Sequence, residues 1–152
     1  MSIDARLAEL GIDLPTPAVP VANYVSFVQT GNLVHISGQL SNDASGGIKG
    51  TVGVDVSPEQ ANAAARLCGI NLLAQIKAAC DGDLSRVVRV VKLGGFVQAG
   101  PDFEAIPAVI NGCSDLMVEV FGDAGRHARS AVGVYKLPLG FAVEVDAIVE
   151  IR

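Results

Sequence analysis

The sequence predicts an α/β sandwich in which a mixed sheet carries two helices on one face. Two long stretches have apolar residues at helical spacing, and the β-branched run between them, Val87–Val97, is apolar on both faces like a central strand. The last stretch, Phe141–Arg152, alternates apolar and polar residues as a half-buried strand does. At 152 residues and 15.6 kDa the chain fits one domain, with elements in the order ββ(β)αβαββ.

The first twenty residues are predicted to precede that domain. Met1–Leu10 has the pattern of a short amphipathic helix that ends at Gly11. Leu14–Pro20 is rich in proline, which cannot continue a helix, so this segment is predicted to be an extended arm. We therefore divide the chain into an N-terminal helix and arm, residues 1–20, and a single domain, residues 21–152.

A hairpin is predicted next. Tyr24–Gln29 and Leu33–Gln39 have strand-like composition and flank Thr30-Gly31-Asn32, which supplies a glycine for the turn. Ser41–Gly50 is rich in glycine, serine, asparagine and aspartate and is predicted to be a loop. Thr51–Val56 is a further candidate strand.

Two helices are predicted, at 58–80 and 105–121. The first begins with a capping signal, because Ser57 precedes Pro58 and Gln60 stands three residues after the serine. Its apolar stripe consists of Ala61, Ala65, Cys68, Leu72, Ile76 and Ala79. The second helix ends at Gly122. Its inward residues are Val109, Cys113, Leu116 and Val120.

An arginine and a glutamate near the C-terminus form a candidate ligand site. If Arg129–Lys136 and Phe141–Arg152 form a hairpin, Gly133 faces Glu144, and Arg129 lies on the same face roughly 13 Å away along the backbone. A guanidinium suits bidentate binding of a carboxylate, and a nearby carboxylate orients water or moves a proton. The alternative is an arginine and a glutamate on a solvated strand face.

Composition argues against several classes of function. With a net charge of −5, no tryptophan and 5% aromatic residues, the chain lacks the basic field and stacking residues of typical nucleic-acid binders. Mean hydropathy is +0.43, but charges or glycines interrupt every apolar stretch before the ~20 residues that a membrane helix needs. The apolar surplus and the uncovered sheet face instead predict a subunit interface.

Cysteines and histidines suggest neither a disulfide framework nor a metal site. Three cysteines without CxxC spacing suit the reducing cytoplasm. Cys68 and Cys113 fall on apolar helix faces, whereas Cys80 is expected to be partly exposed. His35 and His127 have no metal-ligand spacing, and we expect no metal site. His127 precedes Arg129 by two residues and is a candidate to face the same cleft.

Six segments carry a family resemblance: Asn23-Tyr24, Ile36–Gln39, Ile110–Gly112, Ala128–Val134, Leu137-Pro138 and Val143–Ala147. Together they resemble the Rid/YjgF family of reactive-intermediate (imine and enamine) deaminases, some of them formerly called L-PSP endoribonucleases. The resemblance runs from about Tyr24 to Arg152, with the arginine-to-glutamate spacing preserved.

This resemblance implies a chorismate-mutase-like (YjgF-like) fold, a homotrimer, and ligand clefts between subunits. It implies that Arg129 binds the carboxylate of a 2-imino acid and that Glu144 positions water or relays a proton. The cleft would be lined by Tyr24, Ser37, Gly38 and Asn111, some of them from a neighbouring chain. The implied reaction is hydrolysis of an imine or enamine to a 2-keto acid and ammonia, without metal or organic cofactor.

The chain departs from the shorter family members at four places. Ala131 stands where the deaminase branch often has cysteine, and Gly94-Gly95-Phe96 interrupts an apolar run. Residues 1–20 and Ser41–Gly53 also differ. The sequence therefore resembles a longer branch, about the length of these 152 residues. Besides the deaminase, two functions stay open: a non-catalytic small-carboxylate-binding or sensor trimer, and, less favoured by an acidic chain, an endoribonuclease.

Overall fold

Five strands form one mixed sheet. The computed structural model describes all 152 residues. The helices are α1 (Ile3–Glu9), α2 (Pro58–Ala79) and α3 (Ile106–Phe121), and the strands are β1 (Phe27–Thr30), β2 (Leu33–Leu40), β3 (Val87–Gln98), β4 (Ala128–Val134) and β5 (Val143–Ile151). The spatial order of the strands in the sheet is β1-β2-β5-β3-β4. The mixed α/β architecture predicted from the sequence is confirmed.

The helices begin and end at the predicted signals. The Ser57 hydroxyl accepts a hydrogen bond from the Gln60 backbone N–H at 3.1 Å, and the Gln60 side chain accepts one from the Ser57 N–H at 2.9 Å. This reciprocal capping box satisfies two N–H groups at the start of α2 that have no partner within the helix. Gly122 ends α3 with a φ of +63°, a conformation that glycine adopts without steric cost.

Strand pairing differs from the predicted C-terminal hairpin. β4 and β5 do not pair: β4 runs parallel to β3, and β5 lies between β2 and β3, antiparallel to both. The expected pairing of Gly133 with Glu144 is therefore wrong, because Gly133 pairs with Val97 and Glu144 pairs with Phe96 and Leu40. The eight residues between the two strands, Tyr135–Ala142 with a short 3-10 turn at Pro138–Gly140, carry the chain across β3 instead of closing a tight turn.

The hydrophobic core lies between the sheet and the pair α2 and α3. Close approach of the layers is set by small residues. A methyl group at Gly69 of α2 would lie 2.8 Å from Leu116 of α3, and one at Gly95 of β3 would lie 2.7 Å from Ile110 of α3. Leu7 of α1 is buried in the same cluster. The alternating apolar residues of the predicted strand Phe141–Arg152 are all buried: Phe141, Val143, Val145, Ala147, Val149 and Ile151.

Three smaller expectations have mixed outcomes. Thr51–Val56 is not a strand, since it contains only isolated bridges, from Val52 to Val56 and from Val52 to Ala99. Cys68 and Cys113 are buried as predicted, but Cys80 is buried too, because its side chain joins the core at the end of α2. All three thiols are free. None of the helices combines the length and the apolar character needed to cross a membrane.

Candidate functional site

The Arg129 guanidinium lies at the edge of the sheet, against α3. Its Nη1 donates two hydrogen bonds to α3 side chains, one to Asn111 Oδ1 at 2.8 Å and one to Ser114 Oγ at 3.2 Å. Asn111 and Ser114 stand three positions apart on a helix, so both face the strand. No carboxylate lies within salt-bridge distance of Arg129, although five other basic side chains have such partners.

One edge of this guanidinium is free to bind an anion. An arginine has five N–H donors, and both Nη1 donors are already used. The Nε donor and the two Nη2 donors have no partner in the chain, and a carboxylate binds that edge through two parallel hydrogen bonds. The side chain is half-buried, which strengthens such a bond relative to one in bulk water.

A histidine stands behind the arginine. His127 Nε2 lies 2.8 Å from Ser114 Oγ, and His127 Nδ1 lies 2.6 Å from the Gly125 carbonyl oxygen. Burial lowers the pKa of His127 below its usual value of 6.5; the Gly125 hydrogen bond acts in the opposite direction, and the Arg129 charge lowers it further. Arg129, Asn111, Ser114 and His127 therefore form one hydrogen-bonded group, which we call the arginine cluster.

Glu144 lies on the other face of the sheet, against a glycine of β2. A methyl group placed on Gly38 would be 2.5 Å from Glu144 Oε2 and 2.8 Å from its carboxyl carbon. Ser37 and Gly38 belong to a bulge, where two residues of β2 stand opposite Asp146 alone. The bulge and the missing side chain together make room for the carboxylate. We call Glu144, Gly38 and Ser37 the carboxylate cluster.

The environment of Glu144 favours its protonated form. Burial raises the pKa of this carboxyl above its usual 4.5, and the Asp146 carboxylate two residues along the same face raises it further. Burial also raises the pKa of Asp146, while a hydrogen bond from the Gly94 backbone and the Lys92 charge oppose the rise. Because its pKa is raised, this half-buried carboxylate holds a proton more readily than an exposed one, which suits a role in proton transfer.

A groove of about 630 Å³ opens beside the carboxylate cluster. Tyr24, Ser37 and Gly38 line it, with the N-terminal arm on one side and the loop at Asn42–Ala44 on the other. The Tyr24 side chain is 58% exposed, and the Ser37 hydroxyl donates to the Val25 carbonyl at 2.7 Å. The buried Gln75 amide of α2 donates to the Ala18 carbonyl at 2.9 Å and so holds the arm in place.

The predicted site residues fall into two groups on opposite faces of the sheet. Arg129 pairs with Leu93, which is buried under the helices, whereas Glu144 pairs with Phe96, three residues further along β3. Because paired residues share a face and neighbours along a strand alternate, these partners lie on different faces. The expectation that Arg129 and Glu144 share one face is wrong, and its cause is the incorrect hairpin. Asn111 lies with Arg129, and the remaining four predicted residues lie together: Tyr24, Ser37, Gly38 and Glu144.

Ser114 in the arginine cluster and Asp146 beside the carboxylate cluster were not predicted as site residues. Ser114 follows Asn111 by three on the same helix, which already indicates a shared face. Asp146 follows Glu144 by two on a strand, which indicates the same. His127, the candidate to face the cleft, lies behind Arg129 in the arginine cluster. No group of three or more His, Cys, Asp or Glu side chains is arranged to hold a metal ion.

Comparison with known proteins identifies a family. Residues 4–150 match the sequence model of the family described as "YjgF/chorismate_mutase-like, putative endoribonuclease". The chain is 50% identical over 152 residues to Protein TCP17 of Trypanosoma cruzi, covering 99% of this chain and 94% of that one. It is 30% identical over 141 residues to a 2-iminobutanoate/2-iminopropanoate deaminase of Dermatophagoides farinae, covering 93% of this chain and 95% of that one.

Solved structures resemble the chain to two different degrees. Protein Atu1372 of Agrobacterium tumefaciens, 50% identical, superposes with a TM-score of 0.93 over 99% of this chain and 92% of its own. The YjgF gene product of Escherichia coli, 26% identical, superposes with a TM-score of 0.63 over 90% of this chain and 94% of its own. The difference agrees with a longer branch that shares the fold of the shorter proteins.

Proposed function

Since this chain belongs to the YjgF/chorismate-mutase-like family, we propose that it hydrolyses reactive 2-imino and enamine acids to 2-keto acids and ammonia. The observation that carries the proposal is the free edge of Arg129, a half-buried guanidinium with three unused donors and no acidic partner. A 2-imino acid carries the carboxylate that this edge fits. The relative from Dermatophagoides farinae, named as a 2-iminobutanoate/2-iminopropanoate deaminase, supports the choice of substrate class.

Binding through Arg129 fixes the substrate by its carboxylate. Two parallel hydrogen bonds from Nε and Nη2 define the plane of the carboxylate and therefore the direction of the adjacent C2 atom. Asn111 and Ser114 hold the opposite side of the guanidinium. The arginine therefore binds and orients the substrate, and its donors also stabilise the carboxylate when water is excluded.

Glu144 handles the proton in the proposed reaction. Water adds to the C2 atom of the imine, and the Glu144 carboxylate accepts the proton that the water loses and passes it to the nitrogen, which gives a carbinolamine. Glu144 then moves the remaining hydroxyl proton to the nitrogen, the C–N bond breaks as the C2 carbonyl forms, and ammonia leaves with a 2-keto acid as product. The raised pKa of Glu144 supports this role, because a carboxylate with a higher pKa is a stronger base and accepts the proton of water more readily.

We further propose that the two clusters meet between copies of the chain in a homotrimer. In one chain they lie on opposite faces of the sheet, so Arg129 of one copy needs Glu144 of another to act on the same substrate. The open sheet face supports this assembly, because Val28 and Val132 are 55% and 46% exposed there. Three buried free thiols agree with a cytoplasmic protein.

Two other functions predict different outcomes. A non-catalytic carboxylate-binding protein uses the same arginine, and Ala131 in place of a thiol is the feature that favours it. It binds a 2-keto acid and gives no turnover. An endoribonuclease, as the family description has it, requires RNA affinity, which a net charge of −5 opposes.

The deciding experiment is a coupled assay of imine hydrolysis. An amino-acid oxidase generates 2-imino acids in place, and the protein is added while imine loss and ammonia release are followed. We expect ammonia release above the spontaneous rate, its loss in Arg129→Ala, and intact RNA after incubation with the same preparation. Binding of 2-ketobutyrate without any rate increase would refute the deaminase and identify the binding protein.

A further inference from the structure

Three successive hydrogen bonds connect Arg129 to the backbone at Gly125, and we call this series the relay. The Gly125 carbonyl oxygen is an acceptor only, so His127 Nδ1 must donate across the 2.6 Å contact. In a neutral imidazole the other nitrogen, Nε2, is then the acceptor. The Ser114 hydroxyl consequently donates its proton to Nε2 at 2.8 Å, and its oxygen accepts from Arg129 Nη1 at 3.2 Å. Each of the three donors in these hydrogen bonds, Arg129 Nη1, the Ser114 hydroxyl and His127 Nδ1, therefore has an acceptor.

The far end of this relay is rigid. A methyl group placed on Gly125 would collide with the Met117 carbonyl oxygen, so the turn that holds the Gly125 carbonyl packs directly on α3. The imidazole is half-buried, and the charged group that acts on it is the Arg129 guanidinium, which disfavours a second positive charge. The neutral form that the hydrogen bonds require is therefore also the form that the charges favour.

We propose that Ser114 and His127 are positioning residues, which hold the Arg129 guanidinium so that its Nε and Nη2 edge faces the ligand. An arginine side chain has several rotatable bonds, and fixing them on binding costs affinity. The relay fixes the guanidinium before the ligand arrives. The identity of the ligand, a 2-imino or 2-keto acid, rests on the proposed function, whereas the relay itself does not.

The first measurement tests the relay without any ligand. In ¹⁵N-labelled protein, His127 should show a protonated Nδ1 and an unprotonated Nε2, and the Nη1 and Nη2 signals of Arg129 should be separate because rotation is restricted. Ser114→Ala should broaden the two Nη signals, because rotation of the guanidinium becomes faster, and should shift the Nε2 resonance. Ser114→Thr keeps the hydroxyl and should restore both signatures. Unchanged Arg129 signals in Ser114→Ala would overturn the proposal.

The second measurement tests the consequence for binding, with 2-ketobutyrate as the probe in calorimetry. Ser114→Ala and His127→Ala should weaken binding roughly three- to tenfold, less than Arg129→Ala, because Asn111 still holds Nη1. Ser114→Thr should bind like the wild type. Asp115→Ala is the matched control, because Asp115 is the exposed next residue of α3 and makes none of these bonds.

The outcomes separate this inference from the proposed function. A protein that binds 2-ketobutyrate without hydrolysing imines leaves the positioning role standing while the deaminase falls. Equal affinity in the wild type and Ser114→Ala, with binding abolished in Arg129→Ala, overturns the positioning role and leaves the deaminase standing. A wild type that does not bind 2-ketobutyrate refutes the carboxylate ligand, and the Arg129 signals alone then decide whether the relay restrains the side chain.

Discussion

At the scale of single residues, Arg129 is the most consequential side chain. If its free edge binds a carboxylate, Arg129→Ala should remove both binding and turnover, since a charge-assisted hydrogen bond contributes on the order of 1.5–3 kcal/mol, or about ten- to more than a hundredfold in affinity. Arg129→Lys should recover only part of the affinity, because an ammonium lacks the planar fork. Calorimetric titration with 2-ketobutyrate measures both variants. If Arg129→Ala bound 2-ketobutyrate with the wild-type affinity, the ligand would bind at a site other than Arg129.

Glu144 should give the reaction a pH limb on the acid side. Its pKa is raised above 4.5, first by burial and then by Asp146, and the reaction needs the deprotonated form. Turnover should therefore fall as the pH drops through a value above 4.5. Asp146→Asn removes the neighbouring negative charge, so Glu144 loses its proton more easily and the limb should move to lower pH. A kcat profile from pH 4 to 8 tests this; an upward shift in Asp146→Asn would contradict it.

Gly38 should matter for catalysis more than for folding. A methyl group at this position would meet the Glu144 carboxyl, the mobile end of a side chain, which moves aside at little cost to stability. We expect Gly38→Ala to lower kcat on the order of 10- to 100-fold, because a shift of about 1 Å misplaces the group. Gly133→Ala is the control, since its methyl would lie at an ordinary 3.4 Å from Ile106. An unaltered kcat in Gly38→Ala would argue against the role of Glu144 in proton transfer.

At the scale of elements, the start of α2 is the clearest local determinant of the fold. Ser57→Ala removes one bond of the capping box, and a lost N-cap typically costs about 1 kcal/mol. For a chain of this length that lowers Tm by roughly 2–4 °C. Ser45→Ala, in an exposed loop, should leave Tm unchanged. Thermal unfolding followed by circular dichroism measures both, and equal Tm values would show that the cap contributes nothing.

Helices and strands could be predicted because their signals are local. The Ser57 cap, the apolar stripe behind it and the alternation along β5 each lie within one stretch of chain. Strand order could not be predicted in this way. β4 and β5 follow one another and suggest a hairpin, but β5 lies between β2 and β3, and β4 pairs with β3 instead. That pairing depends on contacts distant in sequence.

The same distinction applies to the site. Short segments of sequence were enough to predict Arg129, Glu144 and Asn111 as site residues. The spacing of Ser114 from Asn111 would have been enough to predict Ser114 as well. Their arrangement could not, because the face on which each strand residue lies depends on the pairing. The hydrogen bond between Ser114 and His127 joins α3 to the start of β4, and no local pattern encodes it.

At the scale of the whole molecule, the positions of the two clusters explain why the proposed reaction needs more than one copy of the chain. In the proposed function the arginine cluster binds and orients a carboxylate, and the carboxylate cluster holds the proton-transfer group, but the sheet separates them. An open sheet face with exposed valines also needs a cover. A closed ring of copies satisfies both requirements, because each copy then contributes one cluster to each of two clefts.

The most direct test of this account mixes two inactive variants. Arg129→Ala and Glu144→Gln are each purified, unfolded, mixed in equal amounts and refolded together, and light scattering confirms particles of three times 15.6 kDa. If each cleft takes Arg129 from one chain and Glu144 from its neighbour, about one quarter of the clefts in the mixture carry both intact residues. We therefore predict imine hydrolysis at about a quarter of the wild-type rate. A mixture as inactive as its two components would contradict a shared cleft.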